Sequence, residues 1–180
     1  TSGRQFGFIL YLGKIDFFYF TMNRNTLIII FFLTFVIAVL SGHEVLGQSR
    51  KKQKKITLAT SHAKSFIGTP YLYGGNSRNG IDCSSLIQQS YAKIGIKLPR
   101  TAQEQAKVGN KKGEGSVRPG DIVYFKFKQK REKWWHTGMV TYAEKGIIKF
   151  VHASSSRGVV EDTYNDYYKK HTKYFRRVIK

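Results

Sequence analysis

The chain contains one cysteine, Cys83, in 180 residues. This scarcity excludes an intramolecular disulfide and argues against a metal site built from cysteines. A single thiol cannot form an intramolecular disulfide. Cysteines that bind metal ions usually come in pairs at short spacing, so we expect no metal and no other cofactor. The thiol is therefore either a buried, inert side chain or a reactive group.

The chain also lacks an apolar run long enough to cross a membrane, which takes about 20 residues. Residues 27–40 are apolar except for Thr34; a basic start at residues 22–25 precedes them, and Ser41 and Gly42 follow. This order is typical of a secretory signal peptide. We therefore expect a leader over residues 1–47, made of an over-extended gene start at residues 1–21 and a signal peptide at residues 22–47 that is cleaved after Gly47 or nearer Gly42.

The leader predicts a secreted or periplasmic protein. No cysteine lies near the end of the apolar run, so we do not expect a lipoprotein. The alternative is that both apolar stretches of the leader form a membrane anchor and the second stays uncleaved, the one case in which we expect membrane contact. Residues 48–55 are then a basic linker, and residues 56–180 form one domain without internal repeats.

Acidic residues are also few, with 11 Asp and Glu against 31 Lys and Arg and a formal net charge of +20. Such a charge speeds encounters with polyanions, and its densest run is at residues 50–55. A secreted chain meets anionic cell-wall or envelope polymers, so we expect these as partners and do not expect nucleic acid. A purely solubilising role of the lysines is the alternative.

The order of the secondary-structure signals predicts an α+β fold with N-terminal helices packed on a central antiparallel β-sheet. We expect helices at residues 56–67, from the N-cap Asp82 to Ile94, and from the capping box at Thr101 to about Val108. Strands rich in aromatic and β-branched residues are expected at residues 121–127, 136–142, 147–153 and 173–179. The middle two strands form a hairpin about residues 144–146.

Cys83 lies at the expected start of a helix, where unpaired N–H groups and the helix dipole favour a thiolate. His136 and His152 lie on the two strands of the predicted hairpin. Counted outwards from a turn near residues 144–145, they are cross-strand neighbours on one face. A thiol nucleophile needs a base, and the base needs an orienting group. We therefore predict Cys83 as nucleophile, His136 as general base and His152 as the group that orients His136.

Six sequence blocks resemble, in the same order, those of the NlpC-type cell-wall peptidases. The resemblance implies a reduced papain-like fold and hydrolysis of peptidoglycan stem peptides, typically between the γ-carboxyl of D-glutamate and a diamino acid. It implies the same three catalytic roles, an active-site hydroxyl at Tyr71 near the oxyanion, and peptide binding by Asp82 and Ser84. The blocks are residues 68–75 (GTPYLYGG), 81–84 (IDCS), 98–105 (LPRTAQEQ), 118–125 (RPGDIVYF), 136–140 (HTGMV) and 150–153 (FVHA).

Two other functions are open at this point. A non-catalytic module would bind the anionic wall through residues 50–55 and the basic segment at residues 126–133. An acyl or amide transferase would use the same thioester chemistry but pass the acyl group to an amine in place of water.

Overall fold

The computed structural model describes residues 24–129 and 132–180. Its helices are α1 (Arg24–Lys64), α2 (Cys83–Ala92), α3 (Ala102–Gln105) and α4 (Asp166–His171). Its strands are β1 (Asn76–Ser77), β2 (Gly80–Ile81), β3 (Asn110–Lys112), β4 (Ile122–Gln129), β5 (Glu132–Glu144), β6 (Ile147–Ser154), β7 (Gly158–Thr163) and β8 (Thr172–Arg177).

Residues 1–21, interpreted above as an over-extended gene start, lie outside the described residues, as do residues 130 and 131 of the basic segment. A boundary between two compact units falls between Glu44 and Val45. Residues 48–55, for which composition predicts a linker, are helical, and they contain no Gly or Pro that would break a helix. None of the helices in the described ranges is long and apolar enough to cross a membrane.

Six strands form one sheet in the order β3-β8-β4-β5-β6-β7, and each neighbouring pair is antiparallel. The predicted α+β class, with N-terminal helices and an antiparallel sheet, is confirmed. Alternation along β4 divides the core between the two faces of the sheet. Ile122 and Tyr124 pack in the cluster that includes α1 and α2, whereas Val123 and Phe125 pack in the cluster that includes α4.

The β5–β6 hairpin turns one residue later than predicted. Its turn is at Lys145 and Gly146, whose φ angles of 51° and 76° suit a tight two-residue hairpin. A bulge between Val140 and Tyr142 moves the ladder back by one residue. The strand that carries His136 is therefore displaced relative to the strand that carries His152.

The expected direct pairing of His136 with His152 is wrong by two residues. The ladder pairs Met139 with Val151, and the same register continued places Gly138 across from His152. A shift of two residues is even, so it leaves both histidines on one face of the sheet. The two rings meet diagonally over Gly138, which has no side chain to separate them.

Candidate active site

The thiol lies at the first residue of α2. Asp82 has extended backbone angles (φ −96°, ψ 170°) and accepts the Ser85 N–H at 2.7 Å, so it is the N-cap that the sequence predicts. The backbone N–H groups of Thr137, the residue that follows His136 on β5, and of Ser84 lie close enough to the Cys83 thiol to lower its pKa. The helix start and the histidine strand thus approach each other at the thiol.

The two histidines form a hydrogen-bonded pair. Nε2 of His136 lies 2.8 Å from Nδ1 of His152, and the ring planes are nearly perpendicular at 84°. Both side chains are buried, with exposed fractions of 7% and 3%. Because Nε2 of His136 is engaged with His152, Nδ1 is the nitrogen that can exchange a proton with a thiol.

The close approach of the two rings depends on Gly138. A Cβ atom at this position would lie 2.6 Å from the Phe150 ring, 3.0 Å from the Val151 carbonyl oxygen and 3.2 Å from His152 Cβ. Phe150 is fully buried in a close-packed core, so moving its ring aside would cost packing energy. We conclude that glycine is needed here to hold the histidine pair.

We expect Gly138→Ala to lower the free energy of unfolding by about 1–3 kcal/mol, as overpacking of a core does. The matched control is Gly115→Ala, where an added Cβ meets nothing within 4 Å. Urea unfolding of both variants measures the effect. Equal stability of the two variants would contradict the packing at Gly138.

Burial sets the charge state of the thiol and the imidazole. Desolvation raises the pKa of the Cys83 thiol well above its ordinary value, although nearby backbone N–H groups oppose this rise. Desolvation also lowers the pKa of His136, and the neighbouring His152 lowers it further. Burial therefore favours a neutral thiol and a neutral imidazole, and it opposes the thiolate preference of the helix start.

Sequence reasoning missed the groups that support His152. Its Nε2 lies 2.9 Å from Oδ2 of Asp162 on β7. Asp162 in turn accepts two hydrogen bonds from Arg157, at 2.9 and 2.5 Å, and one from the Tyr168 hydroxyl. A buried histidine needs a polar partner, so the sequence did indicate that His152 has one. It could not indicate Asp162 as that partner, because β7 and α4 were not predicted.

Two adjoining clefts flank the thiol and the histidine pair. A cleft of about 720 Å³ is lined by Cys83, Asp82, Ser84 and Arg100, and a cleft of about 250 Å³ is lined by both histidines and Arg157. Tyr71 and Ser155 line both clefts. An extended substrate that fills both would pass over Tyr71, beside the thiol.

Asp82 and Ser84, predicted to bind the peptide, are held by Arg100. The guanidinium donates to both Asp82 oxygens, at 3.1 and 2.5 Å, and to Ser84 Oγ at 2.9 Å. Ser84 Oγ donates to Asp82 at 3.0 Å, and so does the Gly74 N–H at 3.1 Å. Burial would raise the pKa of Asp82, but the hydrogen bonds from Arg100, Ser85 and Ser84 bring it below its usual value.

This depressed pKa predicts a pH-dependent contribution to stability. A carboxylate whose folded-state pKa is lowered stabilises the fold above its unfolded pKa, about 3.9, and loses that effect as pH falls through the folded pKa. We expect Asp82→Asn to lower the free energy of unfolding by about 2 kcal/mol at pH 7. This difference from wild type should shrink below about pH 4.

Urea unfolding from pH 7 to pH 2 checks the Asp82→Asn prediction, with the exposed Asp166→Asn as the control. Other carboxylates titrate alike in wild type and variant, so the difference between them isolates Asp82. A difference that stays constant down to pH 2 would contradict a lowered pKa at this residue.

A metal is the remaining chemistry to consider. Across residues 24–129 and 132–180, no group of three or more His, Cys, Asp or Glu side chains is arranged to hold a metal ion. The site is therefore described by its thiol, its imidazoles and their hydrogen bonds.

Comparison with known proteins agrees with this geometry. The NlpC/P60 family profile matches residues 68–177. The Murein DD-endopeptidase MepS/Murein LD-carboxypeptidase of Escherichia coli (strain K12) is 35% identical over 114 residues, covering 62% of this chain and 57% of that protein. The Gamma-DL-glutamyl hydrolase of Bacillus subtilis (strain 168) is 39% identical over 110 residues, covering 59% of this chain and 25% of that protein.

A crystal structure of an NLP/P60-family protein from Staphylococcus aureus, described as similar to lipoprotein, superposes with a TM-score of 0.59 and 29% identity. The superposition covers 71% of this chain and 42% of that chain. The chain thus spans less than two thirds of each of these three proteins.

A cysteine at the start of a helix, with a histidine pair on an antiparallel sheet, is the arrangement of a papain-like domain. The profile match covers more than half of the chain. The chain belongs to the NlpC/P60 family, and the resemblance inferred from the six sequence blocks is confirmed.

Proposed function

We propose that this protein is a cysteine endopeptidase that hydrolyses peptidoglycan stem peptides between the γ-carboxyl of D-glutamate and the following diamino acid. Cys83 is the nucleophile, His136 is the general base and His152 orients His136. The observation that carries the proposal is a hydrogen-bonded histidine pair in which His136 directly precedes Thr137, the residue whose backbone N–H lies close to the thiol at the start of α2. This is the arrangement that thiol acyl transfer requires.

The reaction starts from the neutral pair. As Sγ of Cys83 bonds to the glutamyl carbonyl carbon, the thiol proton passes to Nδ1 of His136 and negative charge moves to the carbonyl oxygen. The backbone N–H of Cys83 and the Tyr71 hydroxyl stabilise that oxyanion. Tyr71 is close enough for the charge of Cys83 to raise its pKa, second only to the effect of burial.

Collapse of the tetrahedral intermediate breaks the C–N bond. His136 gives its proton to the leaving amine of the diamino acid, and a thioester to Cys83 remains. Water then gives a proton to His136 and attacks the thioester carbon. The C–S bond breaks, the thiolate takes the proton back, and a glutamyl carboxylic acid leaves.

Burial supports this order of events. An imidazolium and a thiolate together are costly in a buried site before substrate arrives. Proton transfer is therefore coupled to attack, when the developing oxyanion is met by N–H and O–H donors. His152 keeps Nε2 of His136 engaged throughout, so the ring cannot turn its reactive nitrogen away from Cys83.

The substrate class is supported by the family and by the relatives' names, one of which is a gamma-DL-glutamyl hydrolase and another a murein DD-endopeptidase. The net charge of +20 suits a target within an anionic wall. The test below must decide which of two bonds is cleaved, the γ-glutamyl bond or the D-alanyl cross-link.

The proposal includes export, with residues 22–47 removed as a signal peptide. The apolar side chains from Ile28 to Ile37 are exposed to solvent, so they add nothing to a core. The boundary between the two compact units lies between the two cleavage positions expected from sequence. The N-terminal sequence of the exported protein tests this; a first residue near Gln48 supports removal, and Met22 or an earlier residue contradicts it.

The function is tested by digesting purified sacculi and soluble muropeptides in heavy-oxygen water, followed by mass spectrometry. We expect fragments that end at D-glutamate and carry one heavy oxygen in the new carboxyl group. Cleavage at the D-alanyl cross-link would contradict the proposed bond. Binding to sacculi without cleavage would favour a non-catalytic module, and transfer to an added amine without heavy oxygen would favour a transferase.

A further inference from the structure

The hydrogen-bonded chain that starts at His136 does not end at His152. It continues from His152 Nε2 to Oδ2 of Asp162 over 2.9 Å. The carboxylate lies on β7, where Asp162 pairs with Phe150 of β6. Phe150 and His152 lie on one face of β6, so Asp162 shares the face on which His152 stands.

Asp162 is held in place from its other side. Arg157 donates one N–H to each carboxylate oxygen, at 2.9 and 2.5 Å, in the two-pronged geometry that fixes a carboxylate most firmly. The Tyr168 hydroxyl donates to Oδ2. These donors, with His152, hold the pKa of Asp162 well below its usual range, against the opposing effect of burial.

An ionised carboxylate can only accept hydrogen bonds. The nitrogen of His152 that faces Asp162 must therefore carry hydrogen. In a neutral imidazole this leaves Nδ1 of His152 as an acceptor, and the hydrogen between the two rings then belongs to Nε2 of His136. Nδ1 of His136 then carries a lone pair and no hydrogen. This is the tautomer of His136 that can take the thiol proton.

We infer that Asp162, through His152, fixes the tautomers of both histidines and is a positioning residue for the thiol chemistry of Cys83. This inference rests on the proposed function. Asp162 touches neither the substrate nor the reacting atoms; it acts through His152. The proton moves only between Cys83, His136 and the reacting groups, and Asp162 stays ionised.

A purely electrostatic role of Asp162 fits less well. Arg157 forms a close ion pair with the carboxylate at 2.5 Å, so the two charges nearly cancel at the distance of His136. What the ion pair leaves unchanged is the direction of the hydrogen bond to His152. The Tyr168 hydroxyl lies 3.5 Å from the same nitrogen and gives its own hydrogen to Asp162, so it does not replace the carboxylate.

The test is Asp162→Asn, which keeps the shape but offers both an N–H donor and an oxygen acceptor. An amide that donates to His152 Nε2 would reverse both tautomers and place hydrogen on the reactive nitrogen of His136. We expect kcat on a soluble disaccharide-tetrapeptide to fall by about 100-fold, with KM within about twofold of wild type. Asp162→Glu, which keeps the carboxylate, should restore part of kcat, and the exposed Asp166→Asn should leave it unchanged.

A spectroscopic readout separates positioning from a structural role. Long-range proton–nitrogen NMR spectra of the full chain report which imidazole nitrogen carries hydrogen. In wild type we expect hydrogen on Nε2 of both histidines, and in Asp162→Asn a change of tautomer at His152. Because the wild-type spectrum needs no variant, it decides the tautomers even if Asp162→Asn fails to fold.

Hydrogen on Nδ1 of either histidine in the wild-type enzyme would overturn the inference. So would an Asp162→Asn variant with wild-type kcat. These results are distinct from failure of the proposed function. If the wild-type protein cleaves no stem peptide, the function fails while the tautomers still report on Asp162; if wild type cleaves and Asp162→Asn cleaves equally well, the inference alone fails.

Discussion

Replacing Cys83 by alanine should abolish the release of stem-peptide fragments from purified sacculi, with a loss of at least about 1,000-fold in kcat. The thiol supplies the bond that splits hydrolysis into acylation and deacylation, and no neighbouring group can take its place. Removing one member of a nucleophile–base pair lowers kcat nearly as much as removing all the catalytic residues together. High-resolution separation of the released muropeptides measures the effect.

Two further measurements make the Cys83 prediction specific. Cys83→Ser keeps a hydroxyl at the helix start but is a much weaker nucleophile beside a neutral imidazole, so it should be nearly as inactive as Cys83→Ala. Thermal unfolding of both variants should stay close to wild type, because the side chain is small. Fragment release by Cys83→Ala at the wild-type rate would contradict a thiol mechanism.

The second large effect is expected at His136, and it should differ from the effect at His152. His136→Ala removes the base that takes the thiol proton, and we expect kcat to fall by about 1,000-fold or more. His152→Gln keeps a side-chain oxygen that can accept the Nε2–H of His136, so we expect a loss of only about 10- to 100-fold. Kinetics on one soluble muropeptide measure both variants.

The order of these two losses is the informative result. A general base is required in every turnover, whereas an orienting group changes the fraction of molecules whose base is correctly placed. An equal or larger loss for His152→Gln would contradict the assigned roles and would make His152 the base. Full activity of His136→Ala would exclude His136 from the reaction.

The helix that carries the thiol was predictable because its signals are local. Asp82 caps α2 through its own carboxylate, and Thr101 accepts the Glu104 N–H at the start of α3. Such capping bonds join residues three apart, so the sequence contains both partners side by side. The same holds for β4, which begins with four consecutive aromatic or β-branched residues, Ile122 to Phe125.

The hairpin register was not predictable to the residue. Relative to a direct pairing of His136 with His152, the turn at Lys145 and Gly146 moves the ladder by three positions and the bulge beyond Val140 moves it back by one; neither has a unique sequence signal. The two histidines still share one face of the sheet, as predicted, because the net displacement is two positions, an even number. The diagonal contact over Gly138 depends on a glycine whose purpose is clear only once His152 is placed beside it.

The residues that hold His152 in place could not be predicted from the sequence either. β7 is half-buried and α4 is a polar helix of six residues, so neither has a strong periodic signal. Each is fixed by tertiary contacts: Tyr168 of α4 is buried and bonds to Asp162 of β7. Without those two elements, no sequence pattern connects Asp162 to a histidine ten residues away.

The most direct test of the account is a search for the covalent intermediate. Full-length protein is mixed with a stem tetrapeptide, quenched in acid within milliseconds, and its mass and peptide map are measured. We predict an added acyl group, ending at the γ-carbonyl of D-glutamate, on the peptide that contains Cys83 and on no other. Turnover of the substrate with Cys83 unmodified and an acyl group attached to a different residue would contradict the central claim.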